Sequence, residues 1–127
     1  MFLIKPLEDR EKCRELYESR GFQYDDGKSH AVYSTENGRN NGICLFSLSG
    51  YNVEIIFLEY DENDVLMGDT LIRAALNYAG NRSGYIAVCR KPEYRSLLEN
   101  LSFVESDGVF SATIPEIFAT CKNCSGK

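Results

Sequence analysis

The sequence predicts an α/β (α+β) domain, with a mixed sheet that combines an antiparallel meander, one parallel crossover and about three helices. Three observations lead there. Apolar or alternating runs at 30–35, 43–48 and 53–60 are separated only by turn-rich links, Asn37-Gly38 through Asn41-Gly42 and Ser49-Gly50-Tyr51-Asn52, which is the pattern of a meander. Next, Gly68, Leu71, Ile72, Ala75, Leu76 and Ala79 recur at helical spacing, and a short apolar run, 85–89, follows them; strand–helix–strand implies a parallel crossover. Last, Val109 to Ile114 follows Phe103-Val104 across Asp107-Gly108, a closing hairpin.

The remaining elements fill in along the chain. Residues 1–4 suit a short strand. A helix over 7–20 places Cys13, Leu16 and Tyr17 on one face, with Asp9 and Glu11 where acidic side chains favour a helix start and Gly21 as its stop. Gly80 closes the central helix. Pro92 suits a first helical position, and Tyr94, Leu97, Leu98 and Leu101 then share a face. Residues 115–119 form a last short turn. The domain is expected to span 1–119, and 120–127 to be a flexible tail carrying Cys121 and Cys124.

Composition narrows the function classes. The chain has 127 residues, enough for one core, and its 15 aromatic residues (Tyr 8, Phe 7) give that core ample area to bury. A net charge of -5, with no Lys/Arg cluster beyond the adjacent Arg90 and Lys91, argues against nucleic acid and anionic membranes as partners. The N-terminus lacks the basic start and long apolar run of a signal peptide, and no apolar stretch is long enough to cross a bilayer. A cytoplasmic location with reduced thiols is expected, and Cys13, Cys44 and Cys89 fall in apolar patterns as small buried hydrophobes. His30, the one histidine, is expected at a surface or turn position. One CxxC and one histidine do not complete a four-ligand zinc site, so no metal is expected in the chain alone.

Two segments carry a family resemblance. Gly68-Asp69-Thr70-Leu71-Ile72-Arg73-Ala74-Ala75-Leu76 looks like the "GxGxxLLxxxL" segment of the GNAT superfamily of N-acetyltransferases, and Tyr94 to Glu105, with Leu101-Ser102-Phe103, is similar to that family's "YxxxGFxE" ending. The element order resembles the GNAT fold, shortened by one N-terminal helix. The resemblance implies acetyl-CoA as co-substrate, held where the meander's last strand parts from the next strand, with its pyrophosphate against the amides of Val65, Leu66, Met67, Gly68, Asp69 and Thr70. The physical basis would be anion binding by the free N–H groups and dipole of a helix start. It implies transfer of an acetyl or other short acyl group to an amine, small or peptidic. Glu59 and Glu54, on or beside the meander's last strand, are the candidate bases, and strict alternation puts them on opposite faces of the sheet. Tyr94 is the candidate acid for the CoA thiolate, because Leu98 stands where the family carries its tyrosine.

The departures open other readings. Against "Q/R-x-x-G-x-G", Asn63 and Leu66 replace the first and second motif residues, and Asp61, Glu62 and Asp64 flank the approach. These favour a catalytically inactive GNAT-fold module that binds acyl-CoA or a protein. A third reading is a homodimer, or a metal-linked pair, built on the cysteine tail.

Overall fold

The computed structural model describes residues 2–118. The tail with Cys121 and Cys124 lies outside the described residues. A seven-stranded sheet runs in the order β1-β2-β3-β4-β5-β7-β6. Its strands are β1 (Phe2–Pro6), β2 (Ser29–Glu36), β3 (Arg39–Ser49), β4 (Asn52–Tyr60), β5 (Ile86–Cys89), β6 (Val104–Ser106) and β7 (Val109–Thr113). Every pairing is antiparallel except β4 with β5. The helices are α1 (Arg10–Ser19), α2 (Val65–Gly80) and α3 (Arg95–Asn100), the last preceded by a 3₁₀ turn, Pro92–Tyr94; a further helical stretch covers 114–118. No helix among the described residues is long and apolar enough to cross a membrane.

Local chemistry accounts for the boundaries. Asp9 caps α1 by accepting a hydrogen bond from the Lys12 amide at 3.3 Å, so the helix starts at Arg10 and Leu7 to Asp9 stay outside it. The meander turns at Asn37-Gly38 and Gly50 use positive φ, which suits those residues. β3 is longer than its apolar run because β2 pairs with it out to Arg39. α2 begins three residues before Gly68, since nothing in 65–67 opposes a helix.

Each face of the sheet carries its own core. On one side α2 buries Met67, Leu71, Ile72, Ala75, Leu76 and Ala79 against strand residues including Cys44, Phe46, Val53 and Ile55, and α3 adds Leu98 and Leu101. On the other side α1 packs Cys13 and Tyr17 onto Ala31, Ile43 and Leu45. The Tyr17 hydroxyl is fully buried and points its one proton at the His30 and Phe46 carbonyls, both 2.8 Å away, fastening α1 to the sheet. Cys13, Cys44 and Cys89 are buried free thiols, as expected. His30 differs from the surface expectation. It is half-buried, stacked on Phe46 at 5.7 Å and tilted against Tyr78 at 5.3 Å, because α2 reaches over the start of β2.

Candidate functional site

The parallel pairing of β4 with β5 stops early. It joins Asn52–Ile55 to Ile86–Cys89, and β4 then continues alone on that side to Tyr60. At the same place the β3–β4 register slips: Phe46 faces Ile55 and Leu45 faces Phe57, which leaves Ile56 as the extra residue of a β-bulge. A bulge bends its strand and increases the local twist. The two strands therefore part from Ile56 onward, and the backbone groups of β4 beyond that point need other partners.

The bulge also changes which side chains share a face. Val53 and Ile55 pack under α2, and so do Leu58 and Tyr60 beyond the bulge, whereas Phe57 joins the α1-side core. Glu54 and Glu59 consequently lie on the same face, the α1 side, and not on opposite faces as unbroken alternation implies.

Each predicted site residue has a definite place. Glu59 is gripped by Arg20, the C-cap residue of α1, whose Nε and Nη2 donate to its two oxygens at 2.8 and 2.9 Å. Those hydrogen bonds hold the Glu59 carboxyl below the usual carboxylate range. Glu54 is half-exposed and ion-paired with Arg90 at 2.9 Å, beside a shallow cavity of about 340 Å³ that Ser47, Asn52 and Val88 help to line. Tyr94 ends the 3₁₀ turn after β5 and crosses the opening. Its hydroxyl accepts the Leu58 N–H at 2.9 Å and donates to the Leu58 carbonyl at 3.3 Å, so one side chain serves both backbone groups of Leu58 where the strands part. Burial raises the Tyr94 phenol above the ordinary range and keeps it protonated.

The candidate phosphate cradle lies at the start of α2. A tight turn precedes it, in which the Asn63 amide donates to Asp61 Oδ1 at 2.9 Å and the Asp64 amide to the Asp61 carbonyl at 2.8 Å. Asp64 is the N-cap but its side chain makes no capping bond, so no capping side chain occupies the amides opening the helix at Val65 and Leu66. The Met67 amide turns back to the Asp64 carbonyl at 3.0 Å. Leu66 is 74% exposed, while Met67 and Gly68 are buried. Asp69 pairs with Arg73 at 2.9 Å, and the Thr70 hydroxyl donates to the Leu66 carbonyl at 2.8 Å, so neither side chain points a donor at the helix start. Gly68 sits at a crowded point. A Cβ there would fall 2.7 Å from the Tyr60 hydroxyl and 2.9 Å from Leu97 Cδ2. Hence α3, through Leu97, and the end of β4, through Tyr60, both reach the first turns of α2. Leu98, in the family's tyrosine position, is fully buried.

The structure thus gathers Leu58, Tyr60, Tyr94, Leu97 and the α2 start around one opening, while Glu54 and Glu59 stand on the sheet's other face. Nothing in the sequence signals the bulge at Ile56, because it contains neither Gly nor Pro; Arg20 as partner of Glu59 is a contact across 39 positions. A larger cavity of about 550 Å³ lies beside α1, lined by Leu7, Leu16, Ser19, Tyr33 and Ile43; it shares the α1 side of the sheet with Glu59, whose β3 partner is Ile43, and is lined by none of Leu58, Tyr60, Tyr94 or Leu97.

No protein-family model matches the chain, and none of the curated proteins does. Solved structures do match. The ribosomal-protein-S18-alanine N-acetyltransferase of Escherichia coli superposes with a TM-score of 0.67 at 14% identity, covering 90% of this chain and 94% of that one. The protein YhhK of Escherichia coli, solved bound to coenzyme A, gives 0.64 at 18% identity, covering 89% and 98%. The KacTA–DNA complex gives 0.67 at 11% identity, covering 97% and 99%. At such identities the likeness is one of fold, and the fold of this chain is that of the GNAT N-acetyltransferases.

Proposed function

We propose that this chain is an acyl-CoA-dependent N-acyltransferase whose co-substrate enters the opening between β4 and β5. The observation that carries the reading is the bulge at Ile56: it ends the β4–β5 pairing and leaves the Leu58 peptide and the uncapped start of α2 on one gap. These groups fit acetyl-CoA. The Leu58 N–H and C=O offer the pairing that the two successive amides of a pantetheine arm require, and the free amides opening α2 at Val65 and Leu66 suit a pyrophosphate. Acetyl-CoA supplies the activated acyl thioester. The chain's own part is to position it, hold the acceptor amine and manage protons.

Transfer forms a C–N bond as the thioester C–S bond breaks. The amine loses one proton and the departing thiolate gains one. Glu59, fixed and ionised by Arg20, is better suited to hold a cationic amine than to take its proton. Proton removal, directly or through water, is assigned to Glu54, which is held by one bond to Arg90 where Glu59 is held by two to Arg20. Tyr94, kept protonated by burial, is the hydroxyl to which this reading assigns the return of a proton to the thiolate. The net charge of -5 favours a basic acceptor, small or peptidic, over nucleic acid, and the buried free thiols suit a reducing cytoplasm.

One observation favours a second reading. Tyr94 and Leu97 span the gap, and Asp61, Glu62 and Asp64 are exposed beside it, a combination that suits a GNAT-fold module without turnover. Calorimetric titration with acetyl-CoA and with CoA, followed by thiol-release assays over an amine panel, separates the two. Binding with turnover supports the transferase. Binding without turnover supports the module. No binding of either ligand sinks the acyl-CoA reading.

A further inference from the structure

The feature of the opening least accounted for is that the chain's own side chains fill it. The Tyr94 hydroxyl is donor to the carbonyl and acceptor from the N–H of one residue, Leu58, at 3.3 and 2.9 Å. Two successive secondary amides of an extended ligand present the same pair on one edge, a C=O for the Leu58 N–H and an N–H for the Leu58 carbonyl. Tyr94 therefore occupies the place of an extended amide-bearing ligand and satisfies the backbone as that ligand would. Leu97 closes the gap further along, against the Gly68 turn of α2, where Tyr60 meets it from β4.

These closing residues lie at the edge of the α2-side core, packed against it. Tyr60, Tyr94 and Leu97 are each only partly buried, in contrast to Leu98, Leu101 and Phe103 on the same α3 segment, which are buried and anchor it. Tyr94 ends a 3₁₀ turn that has no side-chain cap and is held by local bonds, the Tyr94 amide to the Lys91 carbonyl at 3.1 Å among them. Such a turn can move its tyrosine while α3 keeps its anchors.

We propose that Tyr94 is an internal ligand that latches the β4–β5 opening, and that an acyl-CoA binds only by exchanging its pantetheine amides for the Tyr94 hydroxyl on Leu58. The proposal rests on the acyl-CoA reading of this site. Two ordinary hydrogen bonds favour the latched form over the open one by about tenfold, and the affinity of a ligand that needs the open form is reduced by that factor.

The experiment is calorimetric titration of CoA into the full chain and its Tyr94→Phe variant, with hydrogen exchange at the Leu58 amide followed by NMR. Removing the hydroxyl is expected to tighten CoA about tenfold, speed Leu58 exchange in the free protein and lower the melting temperature. A group with a merely structural role would lower the melting temperature without improving affinity. Leu97→Ala, which widens the gap while leaving the Leu58 bonds intact, is expected to tighten CoA as well, and serves if the tyrosine variant does not fold. Equal or weaker CoA binding by both variants overturns the latch but leaves the acyl-CoA reading standing. Unchanged Leu58 exchange in Tyr94→Phe also overturns the latch. CoA binding by none of the three proteins removes the acyl-CoA reading itself, and the latch with it.

Discussion

Replacing Tyr17 by Phe tests how α1 is held on the sheet. The Tyr17 ring is fully buried, and its hydroxyl lies 2.8 Å from each of two carbonyls, His30 on β2 and Phe46 on β3. Phe keeps the ring and its packing but leaves both carbonyls without that donor in a dry site. A lost net hydrogen bond plus an unmet buried acceptor costs about 1–3 kcal/mol. For 127 residues, an unfolding entropy of about 2.1 cal/mol/K per residue means that about 2 kcal/mol lowers the melting temperature by about 7 °C. Urea denaturation should show a lower midpoint with an unchanged slope, since the surface exposed on unfolding is the same. Tyr24→Phe is the control. Its hydroxyl bonds only to the exposed Asp26 carboxylate at 3.1 Å, so a change within about 0.5 kcal/mol is expected. If the two variants lose the same stability, or Tyr17→Phe loses less than about 0.5 kcal/mol, the fastening argument is wrong.

Three further outcomes follow from the same geometry. Gly84→Ala should destabilise by about 1–3 kcal/mol in chemical denaturation, because its Cβ would lie 2.8 Å from the Ala79 carbonyl oxygen and 2.9 Å from Val53 Cγ2, and a backbone oxygen cannot step aside; a neutral result would refute the crowding. Arg20→Ala should let the Glu59 carboxyl titrate higher, toward its ordinary value of 4.5, as read by carbon NMR against pH; an unmoved titration would mean that Arg20 is not what holds it ionised. His30, whose imidazole is pushed below its ordinary 6.5 chiefly by burial and then by the nearby Arg82 charge, binds a proton more readily when unfolded. Its contribution to stability is thus complete above pH 6.5 and declines as pH falls from there through the folded value, so His30→Phe should flatten the melting temperature between pH 7.5 and pH 5.5, and an unchanged slope would count against it.

Much of the fold was legible because it rests on local chemistry. Turn residues at Asn37-Gly38 and Gly50, the apolar periodicity of α2, Pro92 at a first helical position and Asp107-Gly108 each act through their own few neighbours. So do the burial of Cys13, Cys44 and Cys89, since an apolar residue in a periodic pattern faces the core whatever lies opposite. The sequence by itself therefore determined the order and type of the elements and the segments that flank the opening. Tertiary structure alone decided how the opening is furnished. The bulge at Ile56 arises where β4 must pair with β3 along its length and with β5 along only half of it, and it moved Glu54 and Glu59 to one face. Arg20 reached Glu59, and Tyr94 reached Leu58, across 39 and 36 positions. Such contacts depend on where whole elements dock. No short stretch of sequence records that, because the energy that selects it is spread over both cores.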